Sequence, residues 1–256
     1  MSDASLGQFV WYDLRTSDPD QAITFYTHVI GWTSLPSPTG YTTWVSGDRP
    51  VGGVASLPSQ AHVLDTPPHW TANVHVADVD ATVAEVRRLD GRVYVEPTEH
   101  PKVGRMAAIG DQQGARLNVI QPNQPLRLPD SNQPGEFIWH ELLTTDHEAA
   151  FAFHAKLFGW QRLRDFDMGS LGTYLIYGLS GRELGGMFTK AKDMTMPPVW
   201  FYYVEIADLD QTLARATAKG GRVLNGPMEI PGGRRIVQLA DPQGAAFALH
   251  EAPKRG

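Results

Sequence analysis

The sequence predicts an α+β fold in which one domain, made of two βαβββ modules, occurs twice in tandem, giving four modules in all. Two observations predict it. The halves of the 256-residue chain align at a nearly constant offset, and each half contains the succession of one strand, one helix and three strands twice. A hydrophobic share of 42% and a charged share of 20% are typical of a globular chain that can bury two cores.

The repeat begins at the first strand of each half. Phe9, Trp11, Leu14, Thr16 and Asp18 each meet an identical residue 128 positions later. A Gly-Gly pair then recurs at an offset of 133, and the later matches settle at 130. The second copy therefore carries additional residues between its middle strands.

The first module begins with an apolar strand over residues 9–16. Asp18 is a favourable helix N-cap and Pro19 suits the first helical position. Apolar residues then recur at the spacing of a core-facing helix, which Gly31 ends as a left-handed cap. Two β-rich segments complete the module, at 41–46 and 52–57.

The second module repeats this plan. A strand over 70–76 precedes Asp78, a helix over 79–89 stops at Gly91, and the last of three strand-like segments covers 116–121. The sequence thus predicts domains at 7–121 and 135–253. The proline-rich stretch between them, 122–134, is predicted to be a linker.

Composition excludes several classes of partner. The net charge of −6 and the lack of a basic run disfavour nucleic acid and anionic membrane surfaces. The absence of cysteine excludes disulfides and thiolate chemistry and fits a reducing compartment. No signal peptide and no apolar run long enough to span a membrane are seen, so a cytoplasmic protein is expected.

The motifs of the chain resemble those of the vicinal oxygen chelate superfamily, which includes glyoxalases, bleomycin-resistance proteins and extradiol dioxygenases. The resemblance rests on Asp18, on Phe25-Tyr26 in the helix, on Gly31-Trp32 after it, and on a late turn, Asp241-Pro-Gln-Gly244, with a weaker form at Asp111-Gln-Gln-Gly114. It covers both copies and implies that the two modules of each copy curl into a half-open, eight-strand barrel around one cavity.

Members of this family usually hold a divalent metal through His, Glu or Gln on the first and last strands of modules. By register, those positions fall at Trp11, Thr71 and Asn118 in the first copy, at Trp139, Phe201 and Ala248 in the second, and near Val54 and Met187. Most of these side chains offer no lone pair to a cation. No metal and no cofactor is therefore expected.

The sequence singles out Glu141 and His250 as candidate catalytic residues. Each lies two residues beyond a family ligand position, so strand alternation keeps both on the cavity face. If the first and last strands are neighbours, the two side chains meet, and the carboxylate would raise the pKa of the imidazole. Such a pair serves either as general acid and base or as a salt bridge at the barrel rim.

The same alternation selects candidate ligand-binding residues, which are Trp11, Asp13, Arg15, Asn73, His75 and Asn118 in the first copy and Trp139, Phe201, Tyr203 and Glu205 in the second. For the polar members the alternative is solvation at the strand ends. For Trp11 and Trp139 the alternatives are core filling and a stacking wall for a flat ligand.

Three functions are consistent with the sequence. The first is metal-independent binding of a small, partly aromatic molecule, for sequestration or resistance, by a monomer or homodimer. The second is a lyase or isomerase that uses Glu141 and His250 as acid and base. The third, for which the residues are lacking, is a metal-dependent glyoxalase or dioxygenase. Fold alone does not choose among them.

Overall fold

The computed structural model of the chain describes residues 5–57, 66–125 and 133–252. The predicted linker, 122–134, falls largely outside these ranges. Within them the helices are Pro19–Ile30 (α1), Val79–Arg88 (α2), His147–Phe158 (α3) and Leu209–Ala218 (α4). The strands of the first copy are Phe9–Thr16 (β1), Thr33–Pro36 (β2), Thr42–Ser46 (β3), Arg49–Ser56 (β4), His69–His75 (β5), Arg92–His100 (β6), Gly104–Gly110 (β7) and Arg116–Pro122 (β8). Those of the second are Phe137–Thr144 (β9), Gln161–Asp167 (β10), Thr173–Leu179 (β11), Arg182–Thr189 (β12), Val199–Ile206 (β13), Arg222–Ile230 (β14), Arg234–Ala240 (β15) and Ala246–Glu251 (β16).

The predicted βαβββ succession is confirmed in all four modules. Each helix begins after an aspartate whose side chain accepts a hydrogen bond from a backbone N–H in the first turn, as in the 3.0 Å bond from the Gln21 N–H to Asp18. α1 and α3 end at Gly31 and Gly159, which have φ of 90° and 73° and thus the left-handed conformation that glycine adopts without strain. In α1 and α3 the cap residues read from the sequence therefore mark both helix ends, whereas α2 ends at Arg88, before the expected Leu89, and the left-handed residue there is Asp90 (φ 56°) rather than Gly91.

Each copy forms one eight-stranded mixed sheet that does not close. The strand orders are β2-β3-β4-β1-β5-β8-β7-β6 and β10-β11-β12-β9-β13-β16-β15-β14. In every module the first strand pairs in parallel with the last strand of that same module. The predicted half-open, eight-strand architecture is confirmed. None of the described helices is long and apolar enough to cross a membrane.

The described residues group into two compact units, and each unit takes one module from each copy. Unit 1 contains 5–11, 71–125 and 139–200, and there α2 packs against α3. Unit 2 contains 12–57, 66–70, 133–138 and 201–252, and there α1 packs against α4.

Alternate residues of each strand face the helices or the opposite side of the sheet, which we call the inner face. In β1, Leu14 is fully buried and aligned with Val54 of β4, the strand on which α1 packs. Asp13 is aligned with Gly53 and lies on the inner face. The same relation holds in the third module, where Leu142 is aligned with Met187 and faces α3.

A buried tyrosine joins three elements of the helix side in unit 2. The Tyr26 hydroxyl donates to Asp241 Oδ2 at 3.1 Å and accepts from the Trp70 indole N–H at 2.8 Å. Burial is the main reason that the pKa of this phenol is raised well above 10, and the neighbouring carboxylate acts in the same direction. Tyr26 is therefore a neutral hydrogen-bond bridge in the core of unit 2.

The residue of unit 1 that is equivalent to Tyr26 is His154. It does not form both hydrogen bonds, one with a tryptophan and one with an aspartate, that Tyr26 forms. Its Nδ1 lies 2.8 Å from the Ala150 carbonyl of the preceding helical turn. The Trp200 indole N–H and Asp111 Oδ2 are buried there without a hydrogen-bond partner among the described residues. The two units thus share a fold but differ in how well this polar cluster is satisfied.

We expect Tyr26→Phe to lower the free energy of unfolding by about 1–3 kcal/mol, because it leaves the Trp70 N–H without its acceptor and Asp241 without its donor. Urea unfolding followed by circular dichroism measures the change. Tyr94→Phe is the control, since the half-buried Tyr94 ring keeps its stacking with Arg116. Equal stabilities of the Tyr26 variant and the parent protein would contradict the bridging role.

Candidate functional site

A tyrosine on the inner face holds a carboxylate in both copies. In unit 2 the Tyr41 hydroxyl donates to Asp13 Oδ1 at 2.7 Å. In unit 1 the Tyr174 hydroxyl donates to Glu141 Oε2 at 2.8 Å. Each carboxylate lies on the first strand of its module, and the hydrogen bond from the tyrosine fixes its position.

Glycines on β4 and β12 make room for these tyrosines. A Cβ added at Gly53 would lie 2.2 Å from the Tyr41 ring and one at Gly186 would lie 2.1 Å from the Tyr174 ring. Neither tyrosine was identified from the sequence. A signal was present, because each stands twelve residues before the second glycine of the Gly-Gly pair (41 to 53 and 174 to 186).

The inner face of the third module, in unit 1, is aromatic. The half-exposed Trp139 donates its indole N–H to the Tyr174 hydroxyl at 2.9 Å, which extends the contact with Glu141 into a chain of three side chains. Phe188 and Phe166 are the cross-strand partners of Tyr174 on either side, and Phe166 is 38% exposed. This set is called the aromatic wall below: Trp139, Glu141, Phe166, Tyr174 and Phe188.

The first module carries less aromatic surface. Trp11 and Arg15 are half-exposed, and Asp13 is held by Tyr41. Ala55 stands where the second copy has Phe188. The first copy therefore repeats the tyrosine–carboxylate contact without the aromatic wall.

The expected contact between Glu141 and His250 requires that the first and last strands of the second copy are neighbours, and the strand order shows that they are not. β9 lies between β12 and β13, and β13 separates it from β16. The first strand of a module neighbours the last strand of its own module, and Glu141 and His250 belong to different modules and to different compact units. Their joint use as acid and base stays a prediction, but the strands that carry them are not neighbours.

The carboxylate aligned with His250 is Glu205, its direct partner across β13 and β16. Both side chains are buried, and Glu205 Oε2 and His250 Nδ1 lack hydrogen-bond partners among the described residues. Burial lowers the pKa of the His250 imidazole to about 4, the positive charge of Arg234 acts in the same direction, and Glu251 opposes them. The rise expected from a touching Glu141 is therefore not found, and the imidazole is neutral at pH 7.

Burial also raises the pKa of the Glu205 carboxyl. The positive charge of Arg234 opposes this rise and the negative charge of Glu136 adds to it. On the same face the buried Tyr203 hydroxyl accepts a hydrogen bond from Gln238 Nε2 at 2.9 Å. The neighbouring Phe201 is buried as well.

In the second module, Asn73 is aligned with Asn118. His75 is aligned with the apolar Ile120, and its Nδ1 lies 2.7 Å from the Ser5 hydroxyl. His75 also lines a surface pocket of about 360 Å³ together with Lys156. Of the predicted residues of this module, Asn73 and His75 are thus buried, whereas Asn118 is half-buried.

The comparisons with known proteins agree with the architecture. The model of the Glyoxalase/Bleomycin resistance protein/Dioxygenase superfamily matches residues 8–119 and 137–249. The chain belongs to this superfamily. It is 33% identical over 254 residues to "Putative glyoxylase CFP32" of Mycobacterium bovis, with 96% of this chain and 95% of that protein covered.

Three further similarities extend this result. The chain is 31% identical over 265 residues to "Anthracycline biosynthesis protein DauV" of Streptomyces sp. (strain C5), with 96% and 93% of the two chains covered. The crystal structure of the Mn(II)-bound glyoxalase from Novosphingobium aromaticivorans aligns with a TM-score of 0.64 at 14% identity over 96% of this chain and 82% of that one. The 2,2',3-trihydroxybiphenyl 1,2-dioxygenase of Sphingomonas wittichii aligns with a TM-score of 0.67 at 12% identity, covering 98% and 91%. At these identities the two structures show the fold alone.

The residues present do not fit the divalent metal that the superfamily usually holds. The Trp139 indole nitrogen is a donor and is already bonded to Tyr174, while Phe201 and Ala248 have no ligand atom. Val54 and Met187 face the helices. Their inner-face neighbours, which are Gly53 and Ala55 for Val54 and Gly186 and Phe188 for Met187, offer no ligand atom. No group of three or more His, Asp or Glu side chains with a metal-binding arrangement occurs in the part of the chain that the structure describes.

His140 lies on the helix side of β9, opposite to Glu141. Its Nδ1 is 2.6 Å from the Leu184 carbonyl, and its ring stacks on Phe9 with centroids 3.8 Å apart. Burial lowers the pKa of this imidazole to about 3. His140 is therefore a neutral core residue beneath the aromatic wall.

We expect His140 to make the fold acid-sensitive. Its pKa is about 3 when folded and about 6.5 when unfolded, so its contribution is fully present above pH 6.5 and is lost as the pH falls toward 3. Between pH 6 and 4 the free energy of unfolding of His140→Gln should fall less steeply than that of the parent protein, by about 1.4 kcal/mol per pH unit. Urea titrations across this range measure the slopes. A parental slope in the His140 variant would contradict the assignment.

Proposed function

We propose that the protein binds a small, partly aromatic organic molecule without a metal ion, on the inner face of the second copy. The observation that carries this proposal is the aromatic wall. Trp139 occupies a position that resembles a metal-ligand site of the superfamily, yet its N–H is held by Tyr174, which in turn is held by Glu141.

The chemistry of the wall favours a flat ligand. Indole, phenol and phenyl rings on neighbouring strands offer faces for offset stacking, and each such contact contributes about 0.5–1.5 kcal/mol beyond the burial of area. The chain of hydrogen bonds keeps Trp139 and Tyr174 in one arrangement, so that little side-chain entropy is lost on binding.

The names of the relatives support the same ligand class. One of them is named for anthracycline biosynthesis, and anthracyclines contain a flat, fused aromatic system. Hydroxyanthraquinones are therefore suitable first probes. Binding to the aromatic wall supports either sequestration or a chemical step carried out on the bound molecule.

We expect 1,4-dihydroxyanthraquinone to quench the tryptophan fluorescence of the protein on titration, and Gly186→Ala to weaken its binding about tenfold. The added methyl group would meet the Tyr174 ring and displace it from Trp139 and Glu141. Dissociation constants from fluorescence titration measure the effect.

The matched control is Gly53→Ala, which displaces Tyr41 in the first copy. It should leave binding within about twofold of the parent value. If Gly53→Ala weakens binding and Gly186→Ala does not, the second copy is the wrong location. If the parent protein does not bind the probe, the aromatic ligand class is wrong.

Binding should not depend on metal. Extensive dialysis against EDTA, followed by addition of Mn²⁺, Ni²⁺ or Zn²⁺, should change neither the dissociation constant of the probe nor the melting temperature, because the described residues include no group of three or more His, Asp or Glu side chains that could hold a metal ion. Elemental analysis before and after dialysis provides the control. Near-stoichiometric metal whose removal abolishes probe binding would overturn the metal-independent proposal.

A further inference from the structure

The inner face of the fourth module carries a polar cluster that its counterpart in the first copy lacks. We call it the Glu205 cluster, and it contains Glu205, His250, Arg234, Tyr203 and Gln238, all in unit 2. At the equivalent positions, offset by 130, the first copy has His75, Ile120, Gly104, Asn73 and Ala108. The first copy keeps polar side chains at Asn73 and His75, but the combination of a carboxylate, an imidazole and a guanidinium is found at these positions in the second copy alone.

The strand registers place these side chains on one face. Glu205 is aligned with His250 across β13 and β16, and His250 with Ile236 across β16 and β15. Arg234 stands two residues before Ile236 on β15, so it faces the same side. Its positive charge acts on the pKa values of both Glu205 and His250.

Two buried atoms in the cluster have unused hydrogen-bonding capacity. Glu205 is 4% exposed and His250 is 7% exposed, and neither Glu205 Oε2 nor His250 Nδ1 has a partner among the described residues. Leaving such atoms unpaired is unfavourable, because they lose the hydrogen bonds that water gives them in the unfolded chain. A ligand group that supplies the missing partner gains that free energy on binding.

The charges of Glu205 and Arg234 determine which chemical group of a ligand the cluster can bind. A carboxylate oxygen accepts hydrogen bonds, whereas a guanidinium only donates them. A ligand that satisfies Glu205 must bring a donor, and one that satisfies Arg234 must bring an acceptor. A simple anion would satisfy Arg234 but would stand against the Glu205 carboxylate.

We propose that the Glu205 cluster binds a small organic molecule through a neutral group that carries a hydrogen-bond donor beside an acceptor, such as a carboxamide or a hydroxyl next to a carbonyl. In this arrangement the donor meets Glu205 Oε2, the acceptor meets Arg234, and the neutral His250 completes the site. This inference goes beyond the proposed function, because the Glu205 cluster belongs to unit 2 whereas the aromatic wall belongs to unit 1.

Three compounds with one ring system test it: 2-naphthamide, methyl 2-naphthoate and 2-naphthoate. They offer, respectively, a donor with an acceptor, an acceptor only, and an anion. The parent protein should bind the amide about tenfold more tightly than the ester, as expected for one hydrogen bond to a charged group, and more tightly than the anion. Calorimetric titration measures the three dissociation constants.

The isosteric Glu205→Gln should bring the amide-to-ester ratio to about one, since its amide group also donates to an acceptor-only ligand. Arg234→Met, at a half-exposed position, should weaken amide and ester alike and keep their ratio. Glu229→Gln, at an exposed position on β14, is the matched control and should keep the parental affinities. Circular dichroism and melting temperature confirm folding, and the Arg234 variant gives an independent test if Glu205→Gln does not fold.

The outcomes separate the two proposals. If all three compounds bind but their ratios are the same in the parent protein and in Glu205→Gln, the Glu205 cluster assignment is wrong and aromatic binding stands. If 2-naphthoate binds most tightly and depends on Arg234, the cluster is an anion site and the donor–acceptor assignment is overturned. If no compound binds, the Glu205 cluster assignment is wrong, whereas the aromatic-wall proposal is decided by the anthraquinone titration.

Discussion

Parallel pairing of the first and last strands within each module is the constraint on which the rest of the structure depends. The helix between the first two strands carries the chain across one side of the sheet, so that side is covered and the opposite side becomes the inner face. The pairing also decides which side chains are neighbours. It places Glu141 beside Gly186 and thus beneath Tyr174, and it places His250 beside Glu205.

The two copies have diverged on both sides of their sheets while keeping this frame. On the helix side, Tyr26 bridges Trp70 and Asp241, whereas His154 leaves the corresponding groups unbridged. On the inner side, the tyrosine–carboxylate contact persists in both copies. The aromatic wall and the Glu205 cluster are found in the second copy only, which is why both proposals concern that copy.

The fold could be read from the sequence because its signals are local. Asp18 and Gly31 mark helix ends through contacts with residues a few positions away, and the offset between copies is visible without any structure.

The site could be predicted from the sequence only in part. Strand parity assigned Glu141 and Glu205 to the inner face, but which carboxylate meets His250 depends on strand order, which alternation alone does not specify. The role of Tyr174 was hidden for the same reason, since its contact spans 33 residues.

Neither compact unit can be completed during synthesis on the ribosome until the second copy has been translated, because each unit contains one module from each copy. A nascent chain that ends at residue 125 contains only half of unit 1 and half of unit 2. Translation at ~5–20 residues per second delays the missing halves by roughly ten seconds. During that interval the faces of α1 and α2 that will meet α4 and α3 are uncovered. The first copy must therefore tolerate exposed apolar surface until the second is made, which is the situation in which nascent chains recruit chaperones or associate with one another.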